Sequence, residues 1–163
     1  MGEMDIRVGI ADMNLVMPPD MIMTIGLGSC IGIAIYDNQN KIAGLAHIML
    51  PDSTQFKEVK NPYKFADLAI PILLKKMEES GAKRRNLVAK IVGGASMFNF
   101  SDKNIVSDIG KRNAESVKDV LKQKERIPII AEEVGGNKGR TMIVNPFNGE
   151  VTVKIVGEPL FII

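Results

Sequence analysis

Two apolar stretches, residues 31–36 and 41–50, flank the polar quartet Asp37-Asn38-Gln39-Asn40. No other pattern in the chain constrains its fold as strongly, because apolar runs joined by so short a polar turn read as an antiparallel hairpin. A turn centred between Asn38 and Gln39 pairs Tyr36 with Lys41, and counting outward in that register sets Cys30 opposite His47. The chain has one cysteine and one histidine, and these are they. Directly opposed residues hold their Cβ atoms roughly 4.5–5.5 Å apart, close enough for a thiol and an imidazole to share a hydrogen bond. That is the minimal apparatus of a cysteine nucleophile with its base. A loop one residue longer or shorter would carry His47 to the opposite face of the sheet.

At 163 residues the chain is expected to form a single domain, residues 1–163, with a core of its own. Its 45% hydrophobic and 25% charged residues match ordinary soluble proteins. A net charge of +2, from 21 basic and 19 acidic side chains, gives no electrostatic reason to bind nucleic acid or an anionic membrane. With no Trp and two Tyr, an aromatic platform for stacking bases is not expected either. The apolar runs are too short for membrane insertion, and the first residues lack the basic-then-apolar order of a secretion signal. A single cysteine excludes an internal disulfide. Together these features predict a cytoplasmic protein whose thiol stays reduced.

Along the chain, residues 5–10 alternate and read as a strand, 11–19 as a connection, and 21–27 as a second strand interrupted by Gly26. Residues 63–79 carry Phe65, Leu68, Ala69, Ile72, Leu73 and Met77 at helical spacing, with Pro71 predicting a kink or a later start. Residues 108–124 read as a second amphipathic helix, with Ala114, Val117, Val120 and Leu121 inward and Ser107 or Asp108 as its cap. Strands are expected at 87–92, 127–131, 140–145, 150–156 and near 159–163. About eight strands, largely in hairpins, and two main helices packed on one sheet make an α+β layered domain with a mostly antiparallel sheet.

Four glycine-rich runs invite phosphate-binding readings that their contexts do not support. The run from Gly26 has Ile31 where a dinucleotide fingerprint needs glycine, and Gly93-Gly94 lacks the lysine of a P-loop. Gly135-Gly136 lacks a following helix, and Gly110 at a helix start offers at most an anion site. Turns and close backbone approaches account for such glycines. One Cys and one His fall short of a structural zinc set, so neither metal nor cofactor is expected. Cys30 itself follows Gly26-x-Gly28-Ser29, a bend able to aim backbone N–H groups at a developing oxyanion. A Cys–His pair needs a third group to orient the imidazole; Thr24 is one candidate and Asp52 an alternative.

The run Thr24-x-Gly26-Leu-Gly28-Ser-Cys30 and the segment His47-x-Met-Leu-Pro-Asp52 resemble the chemoreceptor glutamine deamidases of the CheD family. Further matches follow in the family's order: Tyr63-Lys-x-Ala-Asp67, residues 90–98, Ile109-Gly-x-Arg-Asn113 and Gly135-Gly-Asn-x-Gly-Arg140. Glu133 and Asn148 depart from the pattern, away from the Cys30–His47 region. The resemblance implies an α/β sandwich shared with toxin-type cysteine deamidases. It implies Cys30 as nucleophile, His47 as base and Thr24 as the group orienting His47. It also implies chemoreceptor proteins as substrate and a CheC-type phosphatase as partner. A different class of function is a binding module that docks that phosphatase through an apolar patch around residues 97–100. A third is a thiol amidase acting on free glutamine.

Overall fold

The computed structural model of the chain describes residues 4–96 and 108–163. The elements in chain order are β1 (Asp5–Arg7), β2 (Asp12–Val16), β3 (Met21–Leu27), β4 (Ile31–Asp37), β5 (Ile42–Ile48), α1 (Ala66–Glu79), β6 (Leu87–Gly93), α2 (Ile109–Asp119), β7 (Ile129–Val134), β8 (Arg140–Val144), β9 (Val151–Ile155) and β10 (Phe161–Ile162). They form two five-stranded sheets, ordered β1-β3-β8-β9-β10 and β2-β5-β4-β6-β7. Only β1–β3 and β6–β7 pair in parallel; the other neighbours are antiparallel. The α+β layered architecture expected from the sequence is what the described residues adopt.

Every residue of β4 and β5 is buried, because their sheet is covered on both faces. Ile31, Ile33 and Ile35 of β4 join Ala46 and Ile48 of β5 in a cluster with Leu73, Leu74 and Met77 of α1 and Val117 of α2. Ala34 and Tyr36, with Ala43 and Leu45, face the other way, toward Ile22, Met142, Val144 and Val153 of the first sheet. Burying each of the larger aliphatic side chains among these stabilises the fold by about 1.5–3 kcal/mol. The order is therefore sheet, sheet, helices. An odd-numbered residue of β5 points into the space between the sheets, and His47 is odd.

The hairpin register differs from expectation. Asp37 pairs with Ile42 and Tyr36 with Ala43, so the four-residue loop is 38–41 rather than 37–40, and Gly32, not Cys30, lies opposite His47. The reason is Asp37. Its buried carboxylate accepts from Gln39 N (2.9 Å), Asn40 N (3.0 Å) and Asn40 Nδ2 (2.9 Å), folding the loop around itself. Lys83 N (2.8 Å) and Asn86 Nδ2 (3.3 Å) complete its shell from beyond α1. Burial alone would raise the Asp37 pKa, but these donors hold it below the ordinary value. Because the register moves by two residues, side-chain parity survives and His47 keeps its face.

Two further expectations are corrected. Residues 12–16 are strand β2, not connection, and Met13 and Val16 are buried on opposite sides of it. Short strands with a single alternation look like loops in sequence. Helix α1 starts at Ala66, after a turn capped by Asn61, and runs on through Pro71. Ile70 and Leu74 are fully buried, so its apolar face is rotated from the one expected.

Replacing Asp37 with Ala removes the centre of the turn and takes the acceptor from the Lys83 N–H. We expect a loss of about 3 kcal/mol in denaturant unfolding. A loss under about 0.5 kcal/mol, the range of ordinary surface changes, would contradict this account of the register.

Candidate active site

Thr24 and His47 meet between the sheets. Thr24 is on β3 of the first sheet, His47 on β5 of the second, and both are fully buried. Strand β3 is irregular between Thr24 and Leu27, which lets Thr24 and Leu27 both point inward despite their odd spacing. The Thr24 hydroxyl lies 2.7 Å from the Val8 carbonyl and 2.7 Å from His47 Nδ1. A hydroxyl has one proton, and a carbonyl can only accept. The proton therefore goes to Val8, and toward His47 the hydroxyl accepts. Nδ1 must carry the imidazole hydrogen, which leaves the lone pair on Nε2. Among the described residues Nε2 is buried without a hydrogen-bond partner. Burial pushes the His47 pKa down to about 4, so the ring is neutral at ordinary pH.

Cys30 immediately precedes β4 and is half-buried at the edge of the cluster between the sheets. It stands two positions along the strand from Gly32, the residue opposite His47, and so lies on the diagonal. Its thiol makes no hydrogen bond to Nε2 in this structure. Gly32 itself puts no side chain between them, and Met142 packs over it. A Cβ there would come 2.2 Å from Met142 Sδ and 3.4 Å from Thr24 Cγ2. The backbone around Cys30 is pinned from β6 onward: Gly94 N donates to Cys30 O and Ala95 N to Gly28 O, each at 2.8 Å. Gly93, at φ +122°, must be glycine, since a Cβ would sit 2.2 Å from Cys30 O. The N–H groups of Ser29 and Cys30 take no part in these bonds. Burial raises the Cys30 pKa, and its own backbone N–H partly offsets that.

The pair in this state is a neutral thiol and a neutral imidazole, not an ion pair. The alternative orienting group, Asp52, is elsewhere: it is half-buried and its carboxylate accepts from Thr54 N (2.9 Å) and Thr54 Oγ1 (2.7 Å).

Residues 49–155 match the family model described as CheD chemotactic sensory transduction. A protein of Clostridium botulinum (strain Eklund 17B / Type B) named "Probable chemoreceptor glutamine deamidase CheD" is 69% identical over 153 residues, covering 94% of each chain. Its namesake in Clostridium acetobutylicum is 65% identical over 153 residues, covering 94% of this chain and 92% of the other. The chain belongs to the CheD family. Among solved structures, the Bacillus licheniformis hypothetical protein YfiH aligns with 72% of this CheD chain and 47% of its own at 12% identity and a TM-score of 0.40, too distant to carry an argument. The family-model match begins after His47, so Thr24, Cys30 and His47 lie outside it.

The segment after His47 in this CheD chain is held by groups that sequence reading assigned no role. Asp67 of α1 accepts from Ser53 N (3.0 Å) and Ser53 Oγ (2.6 Å). Ser116 of α2 donates to Pro51 O at 2.6 Å, and Asn113 of α2 donates to Ser29 O and Met49 O at 2.9 Å each. The signal for Asn113 was present: it lies on the inward face with Ala114 and Val117, where an amide needs partners. Asp108 makes no side-chain cap, and Ser107 lies outside the described residues. So does the apolar patch at 97–100. Gly93-Gly94 and Gly110 make a close approach: a Cβ on Gly110 would come 2.4 Å from Ala95 O. Among the described residues no three His, Cys, Asp or Glu side chains cluster as a metal site. No helix among them is long and apolar enough to cross a membrane.

Two pH dependences follow. An unfolded His47 titrates near 6.5 and the native one near 4, so between these values the unfolded chain binds the extra proton. Stability is then flat above 6.5 and falls as pH drops toward 4, by on the order of 3 kcal/mol. Denaturant midpoints against pH should show that slope in the wild type and lose it in His47→Gln. Separately, alkylation of Cys30 by iodoacetamide should keep rising with pH past the ordinary thiol range. A rate plateau near neutrality would reveal a thiolate and contradict the neutral pair.

Proposed function

We propose that this chain is a cysteine-dependent protein-glutamine deamidase, converting glutamine side chains of methyl-accepting chemotaxis receptors to glutamate with release of ammonia. One observation carries the reading: a buried imidazole whose hydrogen is fixed on Nδ1 by Thr24, leaving Nε2 free, on the strand beside the chain's single cysteine. The full-length relatives named as chemoreceptor glutamine deamidases supply the substrate class.

In this mechanism Cys30 is the nucleophile, His47 the base and Thr24 the group that orients it. As the substrate carboxamide enters, Nε2 takes the thiol proton and the sulfur attacks the amide carbon. The N–H groups of Ser29 and Cys30 are the candidates to receive the oxyanion, and losing one such donor costs about 100- to 1,000-fold in rate. The His47 imidazolium returns its proton to the departing ammonia, leaving a thioester. Nε2 then draws a proton from water, hydroxide adds to the thioester, and glutamate and the Cys30 thiol are released. Proton transfer through a positioned imidazole contributes about 100- to 10,000-fold. A neutral resting pair suits this sequence, since no charge is buried until substrate arrives.

A single free cysteine suits a reducing compartment, so we place the protein in the cytoplasm, acting as one domain over residues 1–163. A CheC-type phosphatase is proposed as partner on the family resemblance alone.

Mass spectrometry of a receptor fragment incubated with wild type should show the unit mass gain of amide-to-acid conversion at specific glutamines, absent with Cys30→Ser. Thr24→Val should lower kcat by about 100-fold with little change in KM, because it frees the imidazole to adopt the wrong tautomer. Conversion by Cys30→Ser at the wild-type rate would refute the nucleophile assignment. Turnover of free glutamine as fast as receptor would refute the substrate class.

A further inference from the structure

Asn113 is fully buried on α2, yet it touches neither Cys30 nor His47 through any hydrogen bond. Both its Nδ2 contacts are backbone carbonyls at 2.9 Å: Ser29 O, one residue before Cys30, and Met49 O, two residues after His47. Two carbonyl oxygens at hydrogen-bond distance demand donors, so the orientation of the amide is fixed. Both amide hydrogens are thereby committed. The amide oxygen, Oδ1, is buried without a partner among the described residues. A buried amide with an idle oxygen is a costly way to fill space, and an apolar side chain would fill it without that penalty. The feature an apolar side chain could not reproduce is the pair of donors.

We propose that Asn113 is a positioning residue for the reaction, a bridge that helps set the separation of Cys30 and His47 by holding together the backbone one residue before Cys30 and two residues after His47. The proposal rests on the Cys30–His47 reading above. Cys30 and His47 are on neighbouring strands, but each lies at the very end of the ladder: β4 begins at Ile31 and β5 ends at Ile48. Past those points no strand–strand bond sets the distance between the segments. The 28–30 backbone is tied to β6 and the 49–53 segment to α1 and α2. Among the described residues, Asn113 is the side chain that bonds to both. Ser116, one turn further along α2, bonds to the 49–53 segment alone, through Pro51 O. The two residues thus separate the effect of joining the segments from the effect of anchoring one of them.

The thiol and Nε2 are not hydrogen-bonded before substrate binds, so the reaction depends on a short, defined approach. A misplacement of about 1 Å in such a geometry costs on the order of 100-fold in rate. The backbone carbonyls that Asn113 holds are not part of any substrate contact proposed here, so the loss falls on kcat rather than KM.

The test compares Asn113→Asp, which keeps the shape and loses both donors, with Asn113→Ser, which keeps one donor, and with Ser116→Ala. Each is assayed for deamidation of a receptor fragment at a temperature where circular dichroism shows it folded. We expect kcat to fall by about 100-fold in Asn113→Asp and by less in Asn113→Ser, with KM within about threefold of wild type. Ser116→Ala should lose stability while keeping kcat within about threefold. Wild-type kcat in a folded Asn113 variant would overturn the proposal. So would equal losses of kcat in Ser116→Ala and Asn113→Asp, or failure of both Asn113 variants to fold, either of which would make Asn113 a scaffold residue. Cys30→Ser runs alongside: if it retains activity, the underlying assignment fails first, and the two failures are distinguishable.

Discussion

The Thr24 hydroxyl has a single proton, and the backbone takes it. Everything chemical in the site depends on that commitment. With the hydrogen given to Val8 O, the oxygen can only accept from His47, so the imidazole hydrogen is held on Nδ1 and the basic nitrogen faces the other way. Three elements cooperate in this one bond pair: the segment after β1, β3 of one sheet and β5 of the other. It is also a polar link between the sheets, in apolar surroundings that include Leu27, Leu45 and Met142. Burial then keeps the ring neutral, the form that the proposed role of His47 as base requires.

The layered fold serves this arrangement by packing β4 and β5 on both faces. With helices on one face and a second sheet on the other, their side chains have fixed surroundings on both sides. Asp37 fixes one end of the hairpin with a shell of backbone and amide donors. At the other end the ladder stops just short of Cys30 and just past His47, and side chains of α1 and α2 take over. The site sits where regular structure gives out, at the end of the β4–β5 ladder.

Much of this was legible in the sequence, and the misses have physical causes. The hairpin, both helices and the layered class follow from apolar spacing, which burial enforces. The register was misread by two residues because a carboxylate that organises its own turn looks, in sequence, like any polar turn residue. Strand β2 was missed because five residues with two buried positions carry too little periodicity to separate from loop. Of the candidate residues, Thr24 does bond to His47, whereas Asp52 turns to its own loop; sequence spacing cannot tell these apart, since the answer depends on a bulge near Gly26 and on which sheet each strand joins. Asn113 lay inside a quoted motif without a role, because its partners are carbonyls more than 60 residues away in sequence.

A chain with one histidine allows the tautomer to be read without assignment ambiguity. Nitrogen NMR of the protein labelled at histidine, recorded near neutral pH, measures directly which ring nitrogen carries hydrogen. The account predicts a neutral ring protonated at Nδ1, with Nε2 showing the shift of a bare, unprotonated nitrogen. A hydrogen on Nε2, or a charged imidazolium at neutral pH, would contradict it.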